Sequence, residues 1–342
     1  MESKLFAMNM KCPTRRCAFT MVCLIMLIGI HPRSGASTEP STEARQAGNV
    51  YRLQGEYRGV IDEWSGNWGA QVIATGKQSL RVRLLKGGLP GDGFQGNEPD
   101  KIVDCTLKED ATECTASSDS FEVILKPGSL ELMGKEKNAR LGVLTKIVRE
   151  SNTLGRKPPP QAVILYGPRD NNFVGAAGSE AGLGVGGTSK ALMEDHRLHI
   201  EFCIPFQPLD AGQARGNSGV YVQGRYEVQI LDSFGLKGED NECGGIYQIA
   251  KPRINMCYPP LTWQTYDIDF VQAKYDASGN KTKNAKIRIE HNGVLIHDWQ
   301  ELKNQTPGNL KESPSPGPLY LQDHGNSVIF RNVWFVPTTQ SP

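Results

Sequence analysis

The hydrophobic and polar positions of this chain alternate. In LHIEFCIPF (198–206), Leu198, Ile200, Phe202, Ile204 and Phe206 fall on one side of an extended strand, with His199, Glu201 and Cys203 on the other. VYVQGRYEVQIL (220–231) sets Tyr226, Val228 and Ile230 against Glu227 and Gln229. WQTYDIDFVQAKYD (263–276) sets Tyr266, Ile268 and Phe270 against Asp267 and Asp269. In KIRIEHNGVLIHDW (286–299), Asn292-Gly293 between two such runs predicts a hairpin. SVIFRNVWFVP (327–337) predicts a terminal strand. Upstream, WGAQVIAT (68–75), SLRVRLL (79–85), KIVDCTL (101–107) and SFEVILK (120–126) are short β-like runs separated by Gly-rich turns, which predicts a small sandwich or barrel. No long amphipathic helix is found. The prediction is an all-β protein: a small β domain over 50–150, a Pro-rich connection over 151–160, and a second β domain over 161–338 whose sheets carry polar groups on one face.

The first 49 residues have a different texture. Four basic residues precede the uncharged AFTMVCLIMLIGI (18–30), which is short for a bilayer span, and Ser34 and Ala36 follow. Residues 1–36 therefore read as a signal peptide, and the small polar residues 37–49 as a linker. The expected location is secreted or periplasmic, with no membrane attachment after cleavage. This reading also changes the charge. The whole chain has 342 residues, 38 Lys+Arg and 37 Asp+Glu. Five of those basic residues and one acidic residue lie in 1–36, leaving a mildly acidic remainder of 33 bases and 36 acids. Such a balance argues against nucleic acid as a partner. Three of the eight cysteines leave with the leader. Cys105 and Cys114 flank a short polar turn and suit a disulfide. Cys243 and Cys257 are a second candidate pair, which leaves Cys203 buried and inert.

Familiar chemical motifs are scarce. Gly182, Gly184 and Gly187 fit G-x-G-x-x-G, but without the strand and helix that a dinucleotide site needs, so a β-loop is expected. His196 and His199 fall on opposite faces of a strand and do not form a joint metal site. There is no Cys-x-x-Cys and no G-x-S-x-G. Glu227 and Gln229 stand two apart on one strand face. Gln229 cannot be the second carboxylate of a classical glycosidase, so Glu227 reads as a lone base, a metal ligand or a sugar contact, or as part of a solvated strand face. Asp323-His324 in QDHGN (322–326) could orient an imidazole, and Trp263 could stack on a sugar or serve in the core.

The segments NSGVYVQGRYEVQILDSFG (217–235), ECGGIYQIAKPRINMCYPPLTWQTYDIDF (242–270), HNGVLIHDW (291–299) and GPLYLQDHGNSVIFRNVWFVP (317–337) resemble, in order, the 3-keto-disaccharide hydrolase domain family. One departure is AVILYGPRDNNFVGAAG (162–178), which lacks the Trp that members often carry there. The resemblance implies a concanavalin A-like jelly roll with a concave sugar-binding face. It implies a carbohydrate-active enzyme whose 3-keto substrate loses the C2 proton to one base and then its C1 substituent, with later hydration giving net hydrolysis. A divalent metal could assist. Carried over, Glu227 is the base or a metal ligand and His324 the acid/base or a ligand. Asn217, Gln229 and Trp263 are substrate contacts, with Arg225, Glu201 and Asp232 as supporting polar residues. Three other readings stand beside this one. They are a non-catalytic glycan-binding jelly roll, a conventional glycosidase drawing a second carboxylate from Glu201 or Asp267, and a cell-surface interaction protein using the N-terminal domain.

Overall fold

Strand-forming runs become strands almost wherever apolar residues recur every second position. A computed structural model describes residues 47–96, 101–136 and 139–338; the leader at 1–36 and all but the end of the 37–49 segment lie outside the described residues. A short helix, α1 (Gly48–Leu53), leads into eight antiparallel strands: β1 (Gly55–Ile61), β2 (Asn67–Ala74), β3 (Ser79–Lys86), β4 (Lys101–Thr106), β5 (Cys114–Ser117), β6 (Phe121–Lys126), β7 (Ser129–Gly134) and β8 (Ala139–Ile147). Their order is β4-β3-β2-β1-β8-β7-β6-β5. This is a sequential meander whose first strand pairs with its last. The remaining edges, β4 and β5, lie against each other and are joined by the Cys105–Cys114 disulfide, so the sheet closes as a barrel. Its interior is filled by alternate side chains such as Tyr57, Ile61, Val72, Val82, Val123 and Leu132, with Val50 and Leu53 of α1 among them. Each such burial contributes roughly 1.5–3 kcal/mol.

The chain then builds two facing antiparallel sheets. The strands are β9 (Val163–Gly167), β10 (Asp170–Asn171), β11 (Phe173–Val174), β12 (Thr188–Met193), β13 (His196–Cys203), β14 (Ser218–Val222), β15 (Tyr226–Ile230), β16 (Trp263–Val271), β17 (Lys274–Tyr275), β18 (Lys281–Lys283), β19 (Ala285–His291), β20 (Val294–Leu302), β21 (Gly317–Leu321) and β22 (Ile329–Pro337). Seven form the sheet β10-β9-β22-β13-β16-β19-β20, five form β11-β12-β21-β14-β15, and β17 and β18 pair as a separate two-stranded ribbon. The inward residues of both sheets, among them Leu198, Ile200, Phe202, Val228, Ile230, Ile268 and Phe330, make one apolar core. The all-β sandwich expected from the alternation is what the chain forms, and its two facing sheets agree with the jelly roll that the resemblance implies. Asn292 and Gly293 carry the positive φ angles, 53° and 76°, that the β19–β20 hairpin turn requires.

Three sequence expectations change. Phe206 does not continue the core face of β13. The strand stops at Cys203, just before Ile204-Pro205, and Phe206 turns to the barrel core, where its ring meets Tyr51 at 5.2 Å. Cys243 and Cys257 lie together but remain free thiols in the sandwich core, as does the buried Cys203 beside it. Residues 151–156, which read as a plain connection, are hydrogen-bonded as a strap across the outward face of the seven-stranded sheet. Ser151 and Thr153 hydroxyls meet Thr265 at 2.6 and 2.7 Å, and the Arg156 guanidinium donates to Asp267 at 2.8 Å.

Barrel and sandwich form one compact unit. Arg83 of β3 donates to the carbonyls of Gly235 and Leu236. Arg215 donates to the Ala74 carbonyl at 2.8 Å, and Ile73 of β2 packs into the sandwich core. The glycine-rich segment 181–187 is a loop bridged to Phe330 and followed by strand β12, so it has no helix on which to seat a phosphate.

Candidate functional site

The β14–β15 hairpin determines what surrounds Glu227. The turn is Gln223-Gly224-Arg225, with φ of 53° and 63° at the first two residues. Pairing is therefore symmetric about Gly224: Tyr221 lies opposite Glu227, and Gly219 opposite Gln229. On the next strand Tyr320 pairs with Tyr221, and the backbone N–H of Gln322 donates to the Gly219 carbonyl. Directly paired residues share a face. Glu227, Gln229, Tyr221, Tyr320 and Gln322 thus stand together on the five-stranded sheet, on the side turned away from the core.

That side is polar yet buried. Glu227 is 2% exposed. Its β15 edge is covered by segment 244–247, where Tyr247 N–H donates to the Glu227 carbonyl. From the hairpin side, residues 306–313 fold over it. Thr306 Oγ1 accepts the Glu227 N–H at 2.9 Å, and the Tyr221 hydroxyl lies 3.0 Å from the Pro307 carbonyl. The Tyr221 hydroxyl also reaches Glu227 Oε2 at 2.8 Å. Glycine at 219 is obligatory for this arrangement, because a Cβ there would run into the Glu227 carboxylate. Burial pushes the Glu227 carboxyl from 4.5 up to about 7, and the Tyr221 hydroxyl offsets part of that rise. Burial raises the Tyr221 phenol well above its ordinary value, and the adjacent carboxylate adds to this.

Next to Glu227 lies a set of amides with free acceptors. Gln229 Nε2 and Asn217 Nδ2 both donate to Gln213 Oε1, each at 3.1 Å. This leaves Gln229 Oε1 and Asn217 Oδ1 buried without partners, and Gln322 Oε1 is in the same position. Leaving such acceptors unmade costs roughly 1–3 kcal/mol each, so the surface calls for a ligand rich in donors. A sugar's hydroxyls are such donors.

The other sequence candidates lie elsewhere. Arg225 is at the hairpin turn, and its guanidinium is taken up by the Lys311 carbonyl, Gln223 and Ser313, so it clamps the covering loop. Asp232 is paired with Arg215 at 2.6 Å, where the sandwich meets the barrel. His324 is exposed in the β21–β22 turn and makes no hydrogen bond or ion pair with Glu227. Glu201, Asp267 and Trp263 are on the seven-stranded sheet, on its outward face. There His199 Nδ1 meets Asp267 Oδ1 at 2.8 Å, and Glu201 binds Arg331, Asn332 and the Gly155 N–H. Against the cost of burial, His199, Asn332, Arg331 and the Gly155 amide hold Glu201 down at about 2. Trp263 lies under the Arg331 guanidinium at 3.8 Å. The structure therefore does not bring Glu201, Asp267 or Trp263 to Glu227, and the second carboxylate of a conventional glycosidase is not supplied from them. His196, facing the core from the same strand as His199, is pushed down to about 4 by burial.

Among the described residues, no three His, Cys, Asp or Glu side chains converge to hold a metal ion. Glu227 has amides and a phenol around it, and among the described residues it bonds no imidazole and no second carboxylate. This donor set does not fit the Glu227–His324 metal site that the family resemblance allows.

Sequence reading overlooked Tyr221, Gln322, Thr306 and Gln213. For Tyr221 the signal was present: centring the hairpin on Gly224 places it opposite Glu227. The loop that carries Thr306 has no periodicity from which its position could be read.

Residues 170–336 match the family model described as the 3-keto-alpha-glucoside-1,2-lyase-like domain, the family that the motifs resemble. No curated protein matches the chain. Among solved structures, one from Parabacteroides distasonis ATCC 8503, described as a "putative glycosyl hydrolase", is 24% identical; the match covers 53% of this chain and 85% of that one at a TM-score of 0.49. A second from the same organism, with the same description, is 21% identical over 52% of this chain and 99% of that one, at a TM-score of 0.38.

Proposed function

Starting from the match of residues 170–336 to the 3-keto-alpha-glucoside-1,2-lyase-like domain, we propose that the sandwich cleaves 3-keto-glycosides with Glu227 as the base. One observation carries this reading. The Glu227 carboxylate beside the unpartnered amides is buried and held at about 7, where a base is half ionised at neutral pH and still strong enough to take an acidified C–H proton.

A ketone at C3 acidifies the C2 proton. Glu227 takes that proton as the C2–H electron pair moves toward the C3 oxygen. The pair then returns to form C1=C2 as the C1–O bond breaks. The leaving oxygen needs one proton, and Glu227 holds one, so the elimination balances. Water adding across the double bond gives net hydrolysis. Gln229 Oε1, Asn217 Oδ1 and Gln322 Oε1 would accept sugar hydroxyls and orient the ring, and Tyr320 and Tyr247 flank Tyr221 as apolar walls. We further propose that the protein acts outside the cytoplasm, a compartment suited to the Cys105–Cys114 disulfide.

The test is release of aglycone from a 3-keto-glucoside by the purified protein. The expected kcat/KM rises with pH through about 7, and Glu227→Gln lowers it by roughly 10²–10⁴-fold. Unchanged turnover in that variant would end the assignment. A second reading, a glycan-binding module, is favoured by the free amide acceptors. Sugar binding without release, equal in wild type and Glu227→Gln, would select it.

A further inference from the structure

Glu227 belongs to a row that crosses the five-stranded sheet. β21, β14 and β15 set Tyr320, Tyr221 and Glu227 in register, each directly opposite the next. The row continues past β15. Ile246 bridges Val228, and the Tyr247 N–H donates to the Glu227 carbonyl, so Tyr247 lies opposite Glu227. Val228 and Ile246 both belong to the apolar core. Their chain neighbours Glu227 and Tyr247 therefore share the outward face. Across that face the order is Tyr320, Tyr221, Glu227, Tyr247, in steps of about 4.8 Å.

The three phenols are not equivalent. The Tyr221 hydroxyl is taken up by Glu227 Oε2 and sits against the Pro307 carbonyl. The Tyr320 ring lies 5.6 Å from that of Tyr221, one strand further from Glu227. Tyr247 is next to Glu227 on the other side. It is half-buried, and its hydroxyl bonds no protein group among the described residues. Its backbone is fixed twice. One side is bonded to β15. The other is the tight turn 246–250, closed by reciprocal Ile246–Ala250 hydrogen bonds of 2.9 and 3.0 Å, with Gln248 at φ of 59°. A donor held in place in this way needs little reorganisation when charge develops beside it.

We propose that Tyr247 is a further catalytic residue, whose hydroxyl donates a hydrogen bond to the C3 oxygen of the substrate while Glu227 removes the C2 proton. The proposal rests on the reading of Glu227 as the base. As the C2–H pair becomes the C2=C3 bond, the carbonyl pair moves onto the C3 oxygen, which becomes an oxyanion. The Tyr247 O–H bond stays intact, so the proton count of the elimination is unchanged. Base and donor stand one strand apart, which suits a proton on C2 beside an oxygen on C3. A carboxylate base with a phenol donor at the oxygen is an arrangement that enolises ketones.

The test is aglycone release from a 3-keto-glucoside by the full protein and its Tyr247→Phe variant. The substitution removes one oxygen that no protein group bonds, so the melting temperature should stay in place. The expected kcat falls by roughly 10²–10³-fold, with KM changed by less than about threefold. The midpoint of the pH–rate curve, which reports Glu227, should not move. A second measurement follows exchange of the C2 proton of 3-ketoglucose for deuterium by NMR in D2O. That exchange should slow by a similar factor, because the donor acts before the C1–O bond breaks. Tyr320→Phe should lose at least about tenfold less kcat than Tyr247→Phe. A wild type that neither releases aglycone nor exchanges the C2 proton would overturn the base assignment and this proposal with it. An inactive Glu227→Gln beside a Tyr247→Phe of near wild-type kcat would overturn the Tyr247 role alone. So would a Tyr247→Phe defect confined to KM, or a larger kcat loss in Tyr320→Phe.

Discussion

Glu227→Gln should gain stability over the wild type as pH rises above about 4.5, with the full gain reached above about 7. An exposed glutamate loses its proton near 4.5, whereas burial holds Glu227 at about 7. Between those two values the folded state keeps a proton that the unfolded chain has released. Stability therefore falls as pH rises through the window from about 4.5 to 7, and the loss is complete above it. At about 1.36 kcal/mol per pH unit, the whole effect is about 3 kcal/mol. Glutamine is neutral throughout and escapes it. The variant's advantage over wild type should thus be about 3 kcal/mol larger at pH 8 than at pH 4.5. For a protein of this size that is on the order of 5–10 °C in melting temperature. The assay is thermal or urea unfolding of both proteins at half-unit pH steps. The difference between them cancels every other titrating group. A difference that stays flat from pH 4.5 to 8 would show a solvated carboxylate, and the argument for a base near pH 7 would fall with it.

Other perturbations test the neighbours of Glu227 and the barrel. Tyr221→Phe removes the hydroxyl that holds Glu227 down; a hydrogen bond to a charged group is worth roughly 1.5–3 kcal/mol, so the midpoint of the pH–rate curve should move up by about one pH unit. A midpoint that stays in place or moves down would contradict the assigned contact. Gly219→Ala forces the Glu227 carboxylate aside; kcat should drop by about 10²-fold with the circular dichroism spectrum intact, and full activity would show that the position tolerates a side chain. The Cys105–Cys114 bridge spans nine positions, so replacing both cysteines by serine should cost about 2–3 kcal/mol in urea unfolding. An unchanged midpoint would mean that the barrel closes without it.

Much of the fold could be read from period-two alternation, because one face of each strand is buried and the other is not. Leu198, Ile200 and Phe202, or Tyr226, Val228 and Ile230, announce themselves in this way. The Cys105–Cys114 bridge was legible because the turn between the two cysteines is short. Alternation does not say which sheet a polar face belongs to. Glu201 and Asp267 look as suitable as Glu227 along the chain, yet they point out of the opposite sheet, under the strap. Nor does alternation speak for residues without a period. Thr306 reaches Glu227 and Pro307 reaches Tyr221 from a proline-rich loop whose path is set by Arg225 bonding to Lys311 and Ser313, a contact of high sequence separation that no local pattern encodes. Lys146 crosses Gly55 only because β8 pairs back onto β1.

That closing pair has a practical consequence. Since β1 and β8 are neighbours, the chain enters and leaves the barrel at nearly the same place, and the barrel looks like a piece that could be cut away for expression of the sandwich alone. The cut cannot fall at residue 160. Residues 151–156 satisfy Thr265, Glu201 and Asp267, and a fragment starting at 161 would expose one buried carboxylate without its backbone donor and another without its guanidinium. A fragment that keeps these residues retains those partners, so the usable boundary lies upstream of Ser151.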